Sequence, residues 1–425
     1  MNPFIEAKKS NGIIDVPGFQ SVATSCDVRN KKDGRLDLAL ILSPTPCSAA
    51  GVFTKNAFKA APVKLCQELL RVENKFHGII VNSGNANACT GNRGMKDAWS
   101  MQFSAASACN TPPETFFVCS TGRIGELLPM QKIRNGIKDA AANLGSTKEH
   151  GLNSAKAILT SDTKEKIITV KVPYLQTPGK THDLDYITIS GIAKGAGMIQ
   201  PNMATMLAFI ATDADISKNL LQKILSEAVD LSFNRITVDG DMSTNDTVII
   251  LANGESRIKI SPTQSSLFHN FVLGVRHVCN VLANKIVSDG ERITKVVEIC
   301  VEGAKNKTDA NRIARSIGNS LLVKTSWYGS DPNWGRILDA AGYSGASIQE
   351  EKFDLIYATP NGTIKQRSAP VITKGRYLLK NKKRWKDIVS KKRFSIIIKI
   401  NLGKASYRLL STDLSEAYVN FNKSE

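Results

Sequence analysis

Short apolar runs typical of strands alternate with amphipathic helical stretches along the whole chain of 425 residues. The run at 205–214, TMLAFIATDA, predicts a buried strand, and the segment 215–233 that follows has apolar residues at helical spacing. A chain of this length can bury a sizeable core, as two domains or as one large layered unit. We therefore predict a mixed α/β (α+β) protein with mixed or antiparallel sheets, not a regularly repeated doubly wound fold.

The other predicted elements lie between turn signals of Gly, Ser, Pro and Asn. Strands are predicted at 36–43, 77–84, 116–122, 186–193 and 395–403, a hairpin at 235–241 and 246–254, and helices at 127–145 and 266–287. The sequence shows no internal repeat along its length.

The composition disfavours several classes of protein. Apolar residues make up 42% of the chain, and no window approaches the roughly 18 apolar residues of a membrane span. The start of the sequence lacks the pattern of an export signal, so we expect a cytoplasmic protein with no membrane partner. The eight cysteines form no C-x-x-C pair, and the histidines are not clustered, so we predict no metal site.

The net charge of +18 raises the question of a nucleic-acid partner. Half of the excess lies in 374–394, which holds ten Lys or Arg residues and one Asp. A solvated basic face is the favoured interpretation. The alternative is a patch for RNA or another anionic partner, with Tyr377 and Trp385 available for stacking.

The segment 191–207, GIAKGAGMIQPNMATML, is the strongest candidate for a catalytic site. The sequence lacks the motifs of a Ser-His-Asp triad, a phosphate-binding loop and a dinucleotide-binding fold. The acidic segment that starts at Asp239 does not match the residue pattern of a calcium-binding loop. In 191–207 a lysine and glycines precede a single threonine, Thr205, at the head of an apolar strand. In an arbitrary sequence, such a threonine is more often an ordinary strand residue that follows a loop.

The longer segment 194–214 resembles the signature of the ornithine acetyltransferase family, the bifunctional glutamate N-acetyltransferases of arginine biosynthesis. The resemblance extends through DLALI, AAGVFTKNAFKAAPV, VNSGNANACTG, STGRIGELLPM, FNRITVDGDMSTNDT, VKTSWYGSDPNWGRILDAAGYSG and STDLSEAYVNFN, in family order. It implies an N-terminal-nucleophile-like fold with layered mixed sheets and helices in two lobes.

The resemblance also implies that the chain cuts itself between Ala204 and Thr205, giving an alpha chain (1–204) and a beta chain (205–425) that assemble as α2β2. The cut frees the α-amino group of Thr205, which can act as the base for its own hydroxyl. The reference pKa of such an amine, about 7.7 to 8.0, suits proton transfer near neutral pH. We expect Gly195 and Gly197 to give the loop the backbone freedom that the attack needs.

In the family reaction, Thr205 takes acetyl from N2-acetylornithine and passes it to glutamate. Acetyl-CoA is a candidate second acetyl donor. We expect no bound cofactor. By resemblance Thr121 and Gly122 form the oxyanion hole, and the substrate contacts are Thr160, Lys194, Thr205, Glu291 and Asn422. We assign Lys194 to the substrate carboxylate and Glu291 to its ammonium, as a hypothesis.

This chain departs from the family pattern at two places. Arg292 and Ile293 follow Glu291 where members have small residues, and the C-terminus stops short of the usual hydroxyl residue. Two alternative functions stay open: a self-processing N-terminal-nucleophile amidase or peptidase, and a basic nucleic-acid-binding protein with relic enzyme motifs.

Overall fold

The computed structural model describes residues 3–71, 75–174, 185–200, 206–263, 265–359 and 368–423. These residues form two compact units. Unit 1 takes its described residues from Met1–Ala196, Pro201–Asn234 and Met242–Ile286, and unit 2 from Gly197–Gln200, Arg235–Asp241 and Val287–Glu425. Each unit combines helices with a mixed sheet, which confirms the predicted mixed α/β class and its two lobes.

Unit 1 contains a sheet of nine described strands. They are β1 (Ile5–Glu6), β2 (Gln20–Thr24), β3 (Leu38–Phe53), β4 (Phe76–Asn85), β5 (Phe116–Arg123), β6 (Lys166–Tyr174), β7 (Asp185–Lys194), β8 (Leu207–Thr212) and β9 (Thr247–Ala252). Their order is β1-β6-β7-β8-β9-β3-β4-β5, with β2 paired to β3. The pairs β8–β9 and β4–β5 are parallel, and the other pairs are antiparallel.

Helices pack on this sheet through apolar faces. They are α1 (Ala61–Leu69), α2 (Gly91–Ala108), α3 (Met130–Ala142), α4 (Lys148–Ala157), α5 (Lys218–Asp230) and α6 (Ser265–Ser288). Helix α6 approaches β7 closely at Gly191, where an added Cβ would lie 2.9 Å from a methyl carbon of Leu282. A glycine is therefore required there for close packing of helix on sheet.

Unit 2 contains a sheet of six described strands in the order β13-β12-β11-β14-β10-β15. They are β10 (Val296–Ala304), β11 (Asp354–Ala358), β12 (Ser368–Thr373), β13 (Arg376–Tyr377), β14 (Arg393–Lys399) and β15 (Ala405–Thr412). Its helices are α7 (Lys307–Asn319), α8 (Leu321–Tyr328), α9 (Trp334–Gly342), α10 (Lys382–Val389) and α11 (Glu416–Asn422). Helix α7 packs on β10 and β15, and α10 packs on β11 and β14.

Strand β8, which begins two residues after Thr205, lies inside the sheet of unit 1. All six of its residues are buried, and it pairs with β7 on one side and β9 on the other. A continuous apolar run is typical of a strand covered on both faces. The predicted strand at 205–214 is confirmed over Leu207–Thr212, and the described residues Met206, Asp213 and Ala214 lie outside it.

Two sequence predictions are wrong. Strand β3 does not stop at Ser43 but continues to Phe53, because its register shifts between Leu42 and Cys47 and this irregularity accommodates the two prolines. The hairpin at 235–241 and 246–254 does not form. Only its second half is a strand, β9, and the first half makes a single bridge from Ile236 to Leu410 of β15.

No helix in the described part of the chain is both long enough and apolar enough to cross a membrane.

Candidate functional site

The predicted oxyanion residues lie at the end of β5, where it runs parallel to β4. Thr121 is 3% exposed. Gly122 has φ +136°, and a Cβ at this position would lie 2.2 Å from the carbonyl carbon of Gly84 on β4. Gly122 is therefore required by this close approach of two backbones as well as by its φ angle.

A buried network of amides and hydroxyls holds these two strand ends. Ser120 donates to Asn82 Oδ1 at 2.6 Å, and Asn82 Nδ2 donates to the Asn85 carbonyl at 2.9 Å. Asn245 Nδ2 donates to the carbonyls of Ala86 (2.6 Å) and Ser120 (2.8 Å). Because buried polar groups without partners are costly, this satisfied network fixes the backbone immediately before Thr121.

Lys194, at the end of β7, brings together three of the predicted site residues. Its side chain is 3% exposed, and its Nζ donates to Thr160 Oγ1 at 2.7 Å and to Thr121 Oγ1 at 3.2 Å. A threonine oxygen that accepts a hydrogen bond still has its own O–H to donate. The Lys194 ammonium thus polarises the Thr121 hydroxyl, which favours donation by that hydroxyl to a negatively charged oxygen.

Asp162, which sequence reasoning missed, organises this cluster. Its fully buried carboxylate accepts from Lys166 Nζ and from the Gly195 N–H, both at 2.6 Å, and lies 4.0 Å from Lys194 Nζ. Burial raises the pKa of Asp162, but Lys194 and Lys166 outweigh it and bring the pKa to about 2. Asp162 therefore supplies the negative charge that lets two lysines stay buried. Its partners Lys194 and Gly195 lie far along the chain, so no local motif marks it.

We expect Asp162→Asn to lower the free energy of unfolding by about 3 to 5 kcal/mol, because it leaves two buried ammonium groups without their anion. The wild-type advantage should be complete above about pH 4 and should disappear as the pH falls towards about 2, since the folded-state pKa is below the unfolded value. Thermal melting from pH 2 to 7 measures both effects.

The matched control is Asp33→Asn, which breaks another i,i+4 pair, the exposed bridge between Arg29 and Asp33. This change should cost no more than about 1 kcal/mol. Equal losses in the two variants would contradict a central role for Asp162.

Two further predicted substrate contacts, Glu291 and Asn422, lie in unit 2. Glu291 is 8% exposed, and Asn422 Nδ2 on α11 donates to its Oε2 at 3.3 Å. Glu291 also packs on Gly197, where a Cβ would lie 2.7 Å from Oε2. Arg292, the departure from the family pattern, has φ +53° and places its guanidinium 4.6 Å from the ring centre of Phe421, so it helps to hold α11.

The segment just before the predicted cut is anchored in unit 2 by Asp239. Its carboxylate accepts the N–H groups of Met198 (2.6 Å) and Ile199 (2.8 Å). Gln200 Oε1 accepts from the side chain of Asn319. These bonds fix the backbone up to Gln200. Of the two loop glycines, Gly195 uses its freedom with φ +149°, whereas Gly197 leaves room for the carboxylate of Glu291.

The predicted cleavage residues Ala204 and Thr205 lie outside the described residues. The next residue, Met206, is buried, and its N–H donates to Asp246 Oδ1 at 2.9 Å. The Met206 carbonyl accepts from the Thr247 N–H at 3.1 Å. Met206, directly after Thr205, is thus fixed through both its backbone N–H and its backbone carbonyl.

The basic stretch 374–394 does not provide the stacking surface considered above. Trp385 is 1% exposed and its indole N–H donates to the Pro370 carbonyl at 3.1 Å. Tyr377 already stacks on Trp334, with ring centres 4.8 Å apart. The suggestion that Trp385 is available to bases is wrong, because this ring belongs to the core of unit 2.

Similarity to known proteins extends over nearly the whole chain. The sequence profile of the ArgJ family matches residues 20–424. The arginine biosynthesis bifunctional protein ArgJ of Thermotoga neapolitana is 45% identical over 406 residues, covering 95% of this chain and 98% of that protein. The protein of the same name from Geobacter sulfurreducens is 42% identical over 409 residues, covering 96% and 99%.

Among solved structures, the ornithine acetyltransferase of Mycobacterium tuberculosis, crystallised with ornithine, is similar at 33% identity. The match covers 47% of this chain and 98% of that crystallised chain, with a TM-score of 0.41.

Proposed function

The chain belongs to the ArgJ family of bifunctional arginine-biosynthesis enzymes, and from this premise we propose that it transfers acetyl from N2-acetylornithine to glutamate through an acetyl ester on Thr205. The observation that best supports this is the buried cluster of Lys194 with the hydroxyls of Thr121 and Thr160. A polarised hydroxyl at a strand end, held by a cation, is suited to stabilising an oxyanion.

Maturation would begin with attack of the Thr205 hydroxyl on the carbonyl carbon of Ala204. The C–N bond to Thr205 breaks, the amine takes a proton, and an ester joins Ala204 to the Thr205 oxygen. Water then hydrolyses that ester, giving a free Ala204 carboxylate and a free Thr205 amine. Because β8 pairs with both β7 and β9, the sheet would hold residues 1–204 and 205–425 together after the cut.

The mature enzyme would work in two half-reactions. The free amine of Thr205 accepts the hydroxyl proton as the hydroxyl attacks the acetyl carbonyl, and the Thr121 O–H and Gly122 N–H stabilise the oxyanion. Ornithine leaves with the proton on its amine. The amine of glutamate then attacks the ester, N-acetylglutamate leaves, and Thr205 recovers its hydroxyl.

The decisive experiment separates transfer from hydrolysis. Purified protein is incubated with N2-acetylornithine and ¹³C-labelled glutamate, and the products are identified by mass spectrometry. We expect labelled N-acetylglutamate and ornithine in equal amounts. Ornithine with free acetate and no labelled N-acetylglutamate would instead favour the amidase alternative.

We expect Lys194→Met to raise the KM for glutamate by about 10- to 100-fold, because a charge-assisted contact to the substrate carboxylate is lost. Steady-state kinetics with varied glutamate measures this change. The matched control is Lys166→Met, which removes the other buried cation of Asp162; the Lys166 Nζ donates to Asp162 and to the Lys164 carbonyl. An unchanged KM in Lys194→Met, with only a lower kcat, would refute the carboxylate assignment and leave a role through Thr121.

Several finer points stay predictions. They are the ammonium contact of Glu291, the use of acetyl-CoA, the absence of a bound cofactor, the α2β2 assembly and the cytoplasmic location.

A further inference from the structure

The carboxylate of Asp246 has an unusual environment for a fully buried acid. Asp246 is 0% exposed, lies directly before β9, and its backbone carbonyl accepts from the Thr54 N–H at 3.0 Å. Oδ1 accepts the Met206 N–H, but within the part of the chain that the structure describes, Oδ2 accepts no hydrogen bond. The nearby Thr54 hydroxyl is directed instead to the Ser243 carbonyl at 2.7 Å. A buried oxygen without a donor is costly and calls for a partner.

We infer that Asp246 is the positioning residue for the Thr205 amine: Oδ1 holds the Met206 N–H, and Oδ2 receives the α-amino group that the cut creates. This inference rests on the proposed function. Covalent geometry supports it, because the amine nitrogen of residue 205 is only three bonds from the Met206 nitrogen. One carboxylate can therefore bind the two nitrogens as a pair.

The charges around Asp246 leave its buried carboxyl group suited to binding a cation. Burial raises the pKa of Asp246 well above its usual range, although the Met206 N–H and the charge of Lys194 on β7 each lower it. The amine that the cut creates can take up a proton, and the resulting ammonium would offset the cost of burying this carboxylate.

Asp246 also lies next to the residue that fixes the oxyanion strand. The neighbouring Asn245 binds the Ser120 carbonyl, directly before Thr121, while Asp246 binds the N–H directly after Thr205. These adjacent residues thus connect the backbone at Thr121 to the backbone at Met206. A small displacement of either would misalign the nucleophile and the oxyanion donors.

The test is Asp246→Asn. This change keeps one oxygen for the Met206 N–H but replaces the second oxygen with an NH₂ group, which cannot accept a hydrogen bond from the Thr205 amine. We expect kcat to fall about 100-fold with little change in KM. The acid limb of the pH profile of kcat/KM should move about 1 pH unit or more to lower pH, because loss of the carboxylate lowers the pKa of the amine.

The matched control is Asp213→Asn. Asp213 is also buried, follows the other end of β8, and accepts the Thr188 N–H at 2.8 Å. Its pKa is also raised by burial, to about 6. This variant should keep the wild-type acid limb, so a shift confined to Asp246→Asn supports the inference.

A crystal structure of the cut wild type decides the question if Asp246→Asn fails to fold. A Thr205 nitrogen within about 3.2 Å of the Asp246 carboxylate supports the inference, and an amine bound elsewhere overturns it. A cut, active wild type whose Asp246→Asn variant has an unchanged kcat and acid limb overturns this inference alone. A wild type that is neither cut nor acetylated overturns the proposed function and this inference with it.

Discussion

Replacing Thr205 by alanine is expected to leave the chain as one polypeptide and to abolish acetyl transfer. The alanine side chain has no oxygen to attack the Ala204 carbonyl, so no new amine forms, and it has none to carry the acetyl group. Loss of a nucleophile in comparable enzymes costs on the order of 10⁴-fold or more in kcat. Denaturing gel electrophoresis and the labelled-glutamate assay measure the two losses independently.

Thr205→Ser is the matched control, because serine keeps the hydroxyl and lacks only the methyl group. We expect this variant to be cut and to retain measurable transfer. An alanine variant that stays uncut but transfers acetyl at the wild-type rate would show that the hydroxyl is not the acetyl carrier.

Replacing Thr121 by valine, which has nearly the same shape, is expected to lower kcat for acetyl transfer about 10²- to 10³-fold. Valine fills the buried site but cannot donate to the oxyanion, and one lost oxyanion donor costs about 3 to 4 kcal/mol of transition-state stabilisation. Thr121 accepts from Lys194, so the variant also leaves that ammonium with one partner fewer. Single-turnover acetylation of Thr205 measures the chemical step directly.

Thr121→Ser restores the hydroxyl and should recover most of the rate. A second control, Ser120→Ala, removes the neighbouring hydroxyl that donates to Asn82 without touching the predicted donors. If Thr121→Val and Ser120→Ala reduce kcat equally, the effect belongs to the strand end as a whole and not to the Thr121 hydroxyl.

The sequence predicts those elements whose signals are local. Strands β4, β5 and β7 and helix α6 all fall within about two residues of their predicted positions, because apolar periodicity and Gly or Pro punctuation mark them directly. The hairpin fails for the opposite reason. Ile236 finds its partner in Leu410, far along the chain, and no nearby residue signals that pairing.

The candidate site likewise contains residues that the sequence predicts and residues that only the structure shows. Thr121, Thr160 and Lys194 are proposed from family motifs, and the structure brings these three together. Asp162 and Asp246 carry no recognisable signal in their own segments, since each is defined by what other elements place beside it. Asp162 becomes visible only when two lysines are seen to share its carboxylate, and Asp246 only when its second oxygen is found without a donor.

We propose that a single cut turns Thr205 into an acetyl carrier with its own base. The most direct measurement is the intact mass of the polypeptides in purified protein, before and after addition of N2-acetylornithine without glutamate. We expect two pieces, 1–204 and 205–425, and a gain of about 42 Da, one acetyl group, on the Thr205 residue of the second piece. A single uncut chain that turns over at full rate, or an acetyl group found on another residue, would contradict it.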